Sequence, residues 1–229
     1  MTMGAITALF MGFMGIIQND IKRVVAYSTL SQLGYMTVAL GASAYSVAMF
    51  HVMTHAFFKA LLFLAAGSVI MGMHHNQDIR YMGGLRKYMP ITWLTSLIGS
   101  LALIGTPFFS GFYSKDSIIE AVHESHLYGA GFASFAVLAG VFVTAFYSFR
   151  MYFLVFHGNE RFDQNPDAHH DAHHDGNGER DHRQRLLEKP VVGDRLALVE
   201  VQCLRVGLRV QTVRRSTRAQ PRIRCRLVH

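Results

Sequence analysis

The sequence predicts an all-α fold, a polytopic membrane helix bundle of about five transmembrane spans, one of them broken. Of its 229 residues, 51% are hydrophobic and only 16% are charged, a composition that favours a membrane protein over one large soluble domain. The apolar residues also gather in runs close to the roughly 20 residues that a helix needs to cross a bilayer core.

Five apolar runs predict the spans: 1–17, 24–42, 46–72, 91–122 and 129–156. The fourth run is too long for one straight span, and it contains Gly105, Pro107 and Gly111, which weaken or remove helix hydrogen bonds. We therefore expect two half-helices with a hinge near 105–111, as is typical of ion sites in transporters. An ordinary proline kink is the alternative.

Loop cations predict the orientation of the bundle. With five spans, one end, here called side one, receives Lys22, Arg23, Arg80, Arg86, Lys87 and Arg161. The connections at the other end, side two, are 41–46 and 122–128, and neither contains Lys or Arg. The positive-inside rule therefore predicts that side one is cytoplasmic.

Ionisable residues within the apolar runs are the candidate functional residues. His51, His55 and Lys59 recur at every fourth position, so in a helix they share one face over roughly 12 Å. Such groups are costly at bilayer depth and by default indicate an ion or proton path; polar contacts between helices are the alternative. Lys115 and Asp116 follow the break and are a second candidate, unless the lysine simply reaches toward an interface.

The composition changes after the last run. Residues 1–175 carry a net charge of −1, whereas 176–229 carry +8, with twelve arginines and no aromatic residue. We interpret 157–178 as a histidine-rich, solvated cytoplasmic loop, with a metal site as the alternative. The arginine-rich tail, 179–229, is interpreted as out-of-frame or disordered; binding of nucleic acid or anionic lipid is the alternative.

Long motifs give the chain a family resemblance. The segment 18–36, QNDIKRVVAYSTLSQLGYM, resembles the antiporter-like membrane subunits of respiratory complex I. Segments 51–70, 82–86 and 109–116 narrow the resemblance to the subunit L family of NADH–quinone oxidoreductase, whose mitochondrial counterpart is subunit 5. The resemblance covers about residues 1–175 and implies the second of two inverted five-helix repeats, the carboxy-terminal part of the antiporter-like core.

The resemblance also implies roles for the candidate residues. It implies that Lys115 on the broken helix belongs to the proton path to one side of the membrane, and that Lys59 lies with the two histidines on a polar central axis. We interpret Lys115 and Lys59 as the proton carriers. His51 and His55 would relay protons along a polar central axis. Asp116 is a supporting candidate because it follows Lys115 directly after the break, and the resemblance adds Asp20 and Lys22 as a charged pair.

The implied function is that of a proton-translocating membrane-arm subunit of NADH:quinone oxidoreductase, coupled to quinone reduction elsewhere. The chain would then be part of an enzyme without redox chemistry or a metal of its own, because FMN, iron–sulfur clusters and quinone belong to other subunits. The implied partners are the other membrane-arm subunits and the lipid bilayer, with no nucleic acid, in a bacterial inner membrane crossed several times. The alternatives are a subunit of a multi-subunit sodium/proton antiporter and a truncated fragment without transport function.

Overall fold

A computed structural model describes residues 1–73 and 75–161 of the chain. These residues contain no β-strand, and they form the α-helices α1 (Thr2–Ile17), α2 (Ile21–Gly41), α3 (Tyr45–Gly72), α4 (Pro90–Ile104), α5 (Ser110–His123) and α6 (Ala130–Phe156). Short 3₁₀ turns, Ile79–Tyr81 and Leu85–Lys87, lie between α3 and α4. The predicted all-α fold is confirmed. Most of the histidine-rich loop and the whole arginine-rich tail lie outside the described residues.

Local capping sets the helix boundaries. The Asp20 Oδ1 atom accepts hydrogen bonds from the backbone N–H groups of Lys22 (2.9 Å) and Arg23 (3.3 Å). Carboxylates at this position satisfy free donors of a first helical turn, so α2 begins at Ile21, three residues before the predicted apolar run. Pro90 occupies the first turn of α4, where its missing N–H is harmless.

The fourth predicted span is interrupted between α4 and α5. Gly105 ends α4 with a left-handed φ of 89°, a conformation that costs glycine little. A Cβ atom at Gly111 would overlap the carbonyl oxygen of Ala102, so the first turn of α5 lies directly against the last turns of α4. The half-helices are therefore held together by close backbone contact.

The helix connections gather at two ends. At side one, the Ile21 N–H donates to the Gln77 carbonyl (2.9 Å) and the Ile79 N–H to the Asn19 carbonyl (2.8 Å). At side two, Met1 lies against Gly41 and Thr2 lies against Gly129. Each of α1, α2, α3 and α6 thus runs from end to end, and α4 with α5 makes one broken pass.

Two apolar clusters pack the bundle, one from α2, α3, α4 and α6 with the side-one turns and one from α1, α2, α3, α5 and α6. The bundle also buries polar side chains from α2, α3, α4, α5 and α6. By length and composition, α3 and α6 could each cross a membrane, whereas α1 and α4 are apolar but shorter. The fold thus encloses polar groups within an apolar bundle.

Candidate functional site

The Lys115 ammonium group lies at the carboxyl end of α4. Lys115 is 3% exposed, and its Nζ atom donates to the carbonyl oxygens of Leu103 (2.6 Å) and Ile104 (3.4 Å). The last carbonyls of a helix have no partner within the helix and carry its partial negative charge. The break therefore provides acceptors for a buried cation. The Tyr35 ring, 5.5 Å from Nζ, lies beside them.

His51 is held by polar side chains from two other helices. Its Nδ1 atom lies 2.9 Å from the Ser114 hydroxyl, and its Nε2 atom lies 3.1 Å from Gln32 Oε1. Thr54 Oγ1 donates to the same Ser114 oxygen at 3.1 Å. Because Ser114 precedes Lys115 on α5, these contacts bring the His51 imidazole close to the broken helix.

His55 lies one turn farther along α3. The ring centroids of His51 and His55 are 6.1 Å apart, and the Phe58 ring packs against His55 at 5.3 Å. His55 Nε2 is buried and has no hydrogen-bond partner among the described residues. The two imidazoles are thus neighbours without direct hydrogen bonding, and a proton exchanged between them needs an intervening polar group or water.

Lys59 is the last of the three residues at four-residue spacing on α3, and its contacts differ from those of His51 and His55. Its buried Nζ atom donates to the Ser28 hydroxyl at 2.7 Å and to the Val25 carbonyl at 3.2 Å. The Ser28 oxygen lies 2.7 Å from the Tyr147 hydroxyl. A hydroxyl that both accepts and donates can transmit a proton, so Lys59, Ser28 and Tyr147 form a continuous hydrogen-bonded link from α3 through α2 to α6.

Acidic side chains are absent from the buried interior that the structure describes. Among the described residues no Asp or Glu is buried, and the ion pairs, Asp20 with Arg23 and Asp78 with Arg80, lie at side one. Within the described residues, Lys59 and Lys115 are therefore stabilised by carbonyl and hydroxyl oxygens rather than by carboxylates.

The residues predicted to support the path, Asp116, Asp20 and Lys22, lie outside the buried interior. Asp116 and Lys22 are exposed, and Asp20 caps α2 and pairs with Arg23 at 3.6 Å. Successive residues of a helix point about 100° apart, so Asp116 faces away from the carbonyls that bind Lys115. Gly105 and Gly111 both form the break, while Pro107 is exposed in the connection between its halves.

Sequence reasoning missed the partners of the titratable groups. The residues that the sequence analysis does not single out are Ser28, Gln32, Thr54, Ser114 and Tyr147. One signal was available, because Ser28 and Gln32 repeat the four-residue spacing of His51, His55 and Lys59. When two apolar helices each carry polar residues at four-residue spacing, we expect the two polar faces to pack against each other.

Comparison with known proteins identifies the family of the chain. The NADH:quinone oxidoreductase/Mrp antiporter transmembrane family matches residues 1–145. The chain therefore belongs to this family of antiporter-like membrane domains, as its motifs indicated.

Within the family, the chain is similar to NADH-quinone oxidoreductase subunit L of Neisseria meningitidis serogroup A, 77% identical over 182 residues, or 80% of this chain and 26% of that protein. Subunit L of Rhodobacter capsulatus is 54% identical over 72% of the chain and 24% of its own length. NADH-ubiquinone oxidoreductase chain 5 of Marchantia polymorpha is 56% identical over 67% of the chain and 23% of its own length. The resemblance to subunit L is thus confirmed. The chain spans about a quarter of the length of the curated relatives it matches.

Proposed function

We propose that this chain contributes a proton path to a membrane-arm subunit of NADH:quinone oxidoreductase. The observation that carries the proposal is the Lys115 ammonium group on the free carbonyls of α4, next to the Ser114–His51 contact. Desolvation disfavours a buried ammonium ion, whereas hydrogen-bond acceptors and water favour it. Small changes in hydration at the break can therefore switch the lysine between its two protonation states.

The path has two storage groups and connecting relays. Lys115 and Lys59 hold protons, and His51 and His55 pass them along α3, since imidazole can both accept and donate a proton near neutral pH. Charge changes transmitted from quinone reduction in other subunits drive the exchange. FMN, iron–sulfur clusters and quinone lie in those subunits. The partners are other membrane-arm subunits and lipid, and nucleic acid is not among them.

The chain lies in a bacterial inner membrane and crosses it about five times, with side one in the cytoplasm. All six loop cations of side one support this orientation. Three charged residues are proposed to support the path through contacts with parts of the protein outside the described residues: Asp116, Asp20 and Lys22. The domain division is a bundle over 1–156, a loop over 157–178 and a tail over 179–229.

A sodium/proton antiporter subunit is the second candidate, because the matching family also includes Mrp antiporters. The two candidates differ in their partners. Affinity purification from native membranes should recover NADH-oxidising subunits with this chain. Recovery of antiporter subunits without NADH-oxidising activity would support the second candidate.

Lys59→Met, made in the assembled complex, tests the path itself. We expect NADH oxidation to continue with fewer protons translocated per electron, because methionine keeps the bulk of lysine but cannot hold a proton. Lys87→Met, which removes an exposed cation at side one, is the control and should leave the ratio unchanged. An unchanged ratio in Lys59→Met would refute the role of this lysine.

A further inference from the structure

The side chain of Tyr35 connects α2 with both α5 and α6. It is fully buried, and it is among the largest buried side chains of the described bundle. The Lys115 Nζ atom lies over its ring, 5.5 Å from the ring centroid. The Tyr35 hydroxyl group donates to the Val137 carbonyl oxygen on α6 at 2.8 Å. The ring therefore lies between a buried cation on α5 and the backbone of α6.

The position of this ring is set by α6. A Cβ atom at Gly140 would lie 2.5 Å from the Tyr35 hydroxyl oxygen and 3.2 Å from its Cζ atom, so a side chain at position 140 would displace the ring. Gly140 thus leaves the space that the phenol group occupies, and the hydrogen bond to Val137 holds the group there. Neither contact involves Lys115, so the ring is fixed independently of the lysine.

The Lys115 ammonium group has hydrogen-bond acceptors on α4, and the ring provides a different kind of stabilisation. The acceptors are the carbonyl oxygens of Leu103 and Ile104. No Asp or Glu is buried within the described residues. The face of an aromatic ring carries negative charge density, and it attracts a cation within about 6 Å of the ring centroid, most strongly where water is excluded. The Tyr35 ring therefore favours the charged form of Lys115.

We propose that Tyr35 is a positioning residue for Lys115. Its ring face stabilises the ammonium form, and α6 sets the distance through Val137 and Gly140. A neutral amine gains little from the ring, so the ring adjusts the balance between the two protonation states without carrying the proton itself. This inference rests on the proposed function, because it requires Lys115 to take up and release a proton.

The first test changes the charge density of the ring at nearly constant shape. In the assembled complex, Tyr35 is replaced by phenylalanine and by phenylalanines with two and with five ring fluorines, which withdraw electron density from the ring face. Protons translocated per electron are measured over a series of pH values. The pH at which translocation falls to half should decrease by roughly one unit from the unfluorinated to the fully fluorinated ring, because the ammonium form is less favoured.

Other titratable groups are the same throughout this series. The interior receives His51, His55 and Lys59 from α3 and Tyr147 from α6, and α4 contributes no titratable side chain. These groups therefore cannot produce a shift that grows with fluorination. The matched control places the same fluorinated residues at Phe146, which is 53% exposed on α6, and should leave the half-point unchanged.

The outcomes separate this inference from the proposed function. A half-point that does not move with fluorination, or a loss of equal size at every pH, would overturn the role of the ring, because packing alone gives those results. If Lys115→Met loses translocation while the half-point does not move, only the role of Tyr35 is refuted. Unchanged translocation in Lys115→Met would refute the proposed function itself.

The second test moves the ring without changing its chemistry. Gly140→Ala should lower the half-point as fluorination does, because the added methyl group displaces the phenol. The double variant Gly140→Ala/Tyr35→Phe lacks the oxygen nearest to that methyl group and should recover most of the shift. Gly131→Ala, with open space around it on the same helix, is the control. An unmoved half-point in Gly140→Ala, or no recovery in the double variant, would overturn the part of α6 in setting the distance.

Discussion

At the scale of single residues, the two neighbours of His51 match one tautomer of its neutral ring. With the Gln32 amide oxygen facing the ring, His51 Nε2 carries the proton that this oxygen accepts. In the neutral ring, Nδ1 is then left as an acceptor for the Ser114 hydroxyl. The imidazole is thus oriented with its proton-accepting nitrogen toward α5, the helix that carries Lys115.

Ser114→Ala tests this orientation. Loss of a hydrogen bond worth about 1 kcal/mol should reduce proton translocation by roughly threefold to tenfold, because His51 loses its fixed link to α5. Ser117→Ala is the control on the same helix, since Ser117 bonds only to the Tyr113 carbonyl one turn before it. Protons translocated per NADH oxidised are measured for both variants. Equal ratios in the two variants would contradict the assigned role of Ser114.

At the scale of elements, the α4–α5 break depends on close backbone contact at Gly111. Gly111→Ala should destabilise the subunit by about 1 to 3 kcal/mol, because the added methyl group overlaps the Ala102 carbonyl. Gly131→Ala is the control: it lies in α6 with open space around it, and alanine favours a helix. Thermal inactivation of the assembled complex measures both effects. A Gly111→Ala variant as stable as Gly131→Ala would contradict the packing of the break.

The side-one turn around Asp78 should respond to pH. Hydrogen bonds from the Arg80 side chain hold the pKa of the Asp78 carboxyl below its ordinary value. A lowered pKa in the folded state means that the carboxylate stabilises the turn at neutral pH. This stabilisation is lost as the pH falls through the lowered pKa, which lies below the usual aspartate pKa of about 4.

Asp78→Asn should therefore loosen this turn at neutral pH. Amide hydrogen exchange at Arg80, whose N–H donates to Asp78 at 2.9 Å, should be faster than in the wild type at pH 7. The difference should shrink as the pH approaches the lowered pKa from above. A difference that stays constant over this range would show that the charge of Asp78 does not hold the turn.

Much of this arrangement follows from local sequence patterns. The contacts between residues far apart in the sequence do not, because no local pattern encodes them. Apolar runs, Asp20 and Pro90 mark helices because span length and caps are local properties. The common face of His51, His55 and Lys59 likewise follows from helix periodicity. The contact of Ser28 with Tyr147 joins residues 119 positions apart, and no local pattern encodes it. Asp116 directly follows Lys115, but neighbouring residues in a helix face different directions, so the supporting role of Asp116 stays a prediction.

At the scale of the whole molecule, the exposed cations and the buried cations have different positions and different partners. The cations of the loops gather at side one, whereas the buried cations, Lys59 and Lys115, lie among carbonyl and hydroxyl oxygens. The chain spans about a quarter of its relatives' length. The described bundle contains both lysines and the two histidines, His51 and His55, that we propose as relays between them.

The most direct test of the central claim is the number of protons translocated per electron in an assembled complex that carries Lys115→Met. We predict a marked loss of translocation while NADH oxidation continues, because the group that holds the proton at the break is gone. Lys115→Arg, which keeps the charge but cannot release a proton, should show the same loss. An unchanged ratio in Lys115→Met would contradict the account.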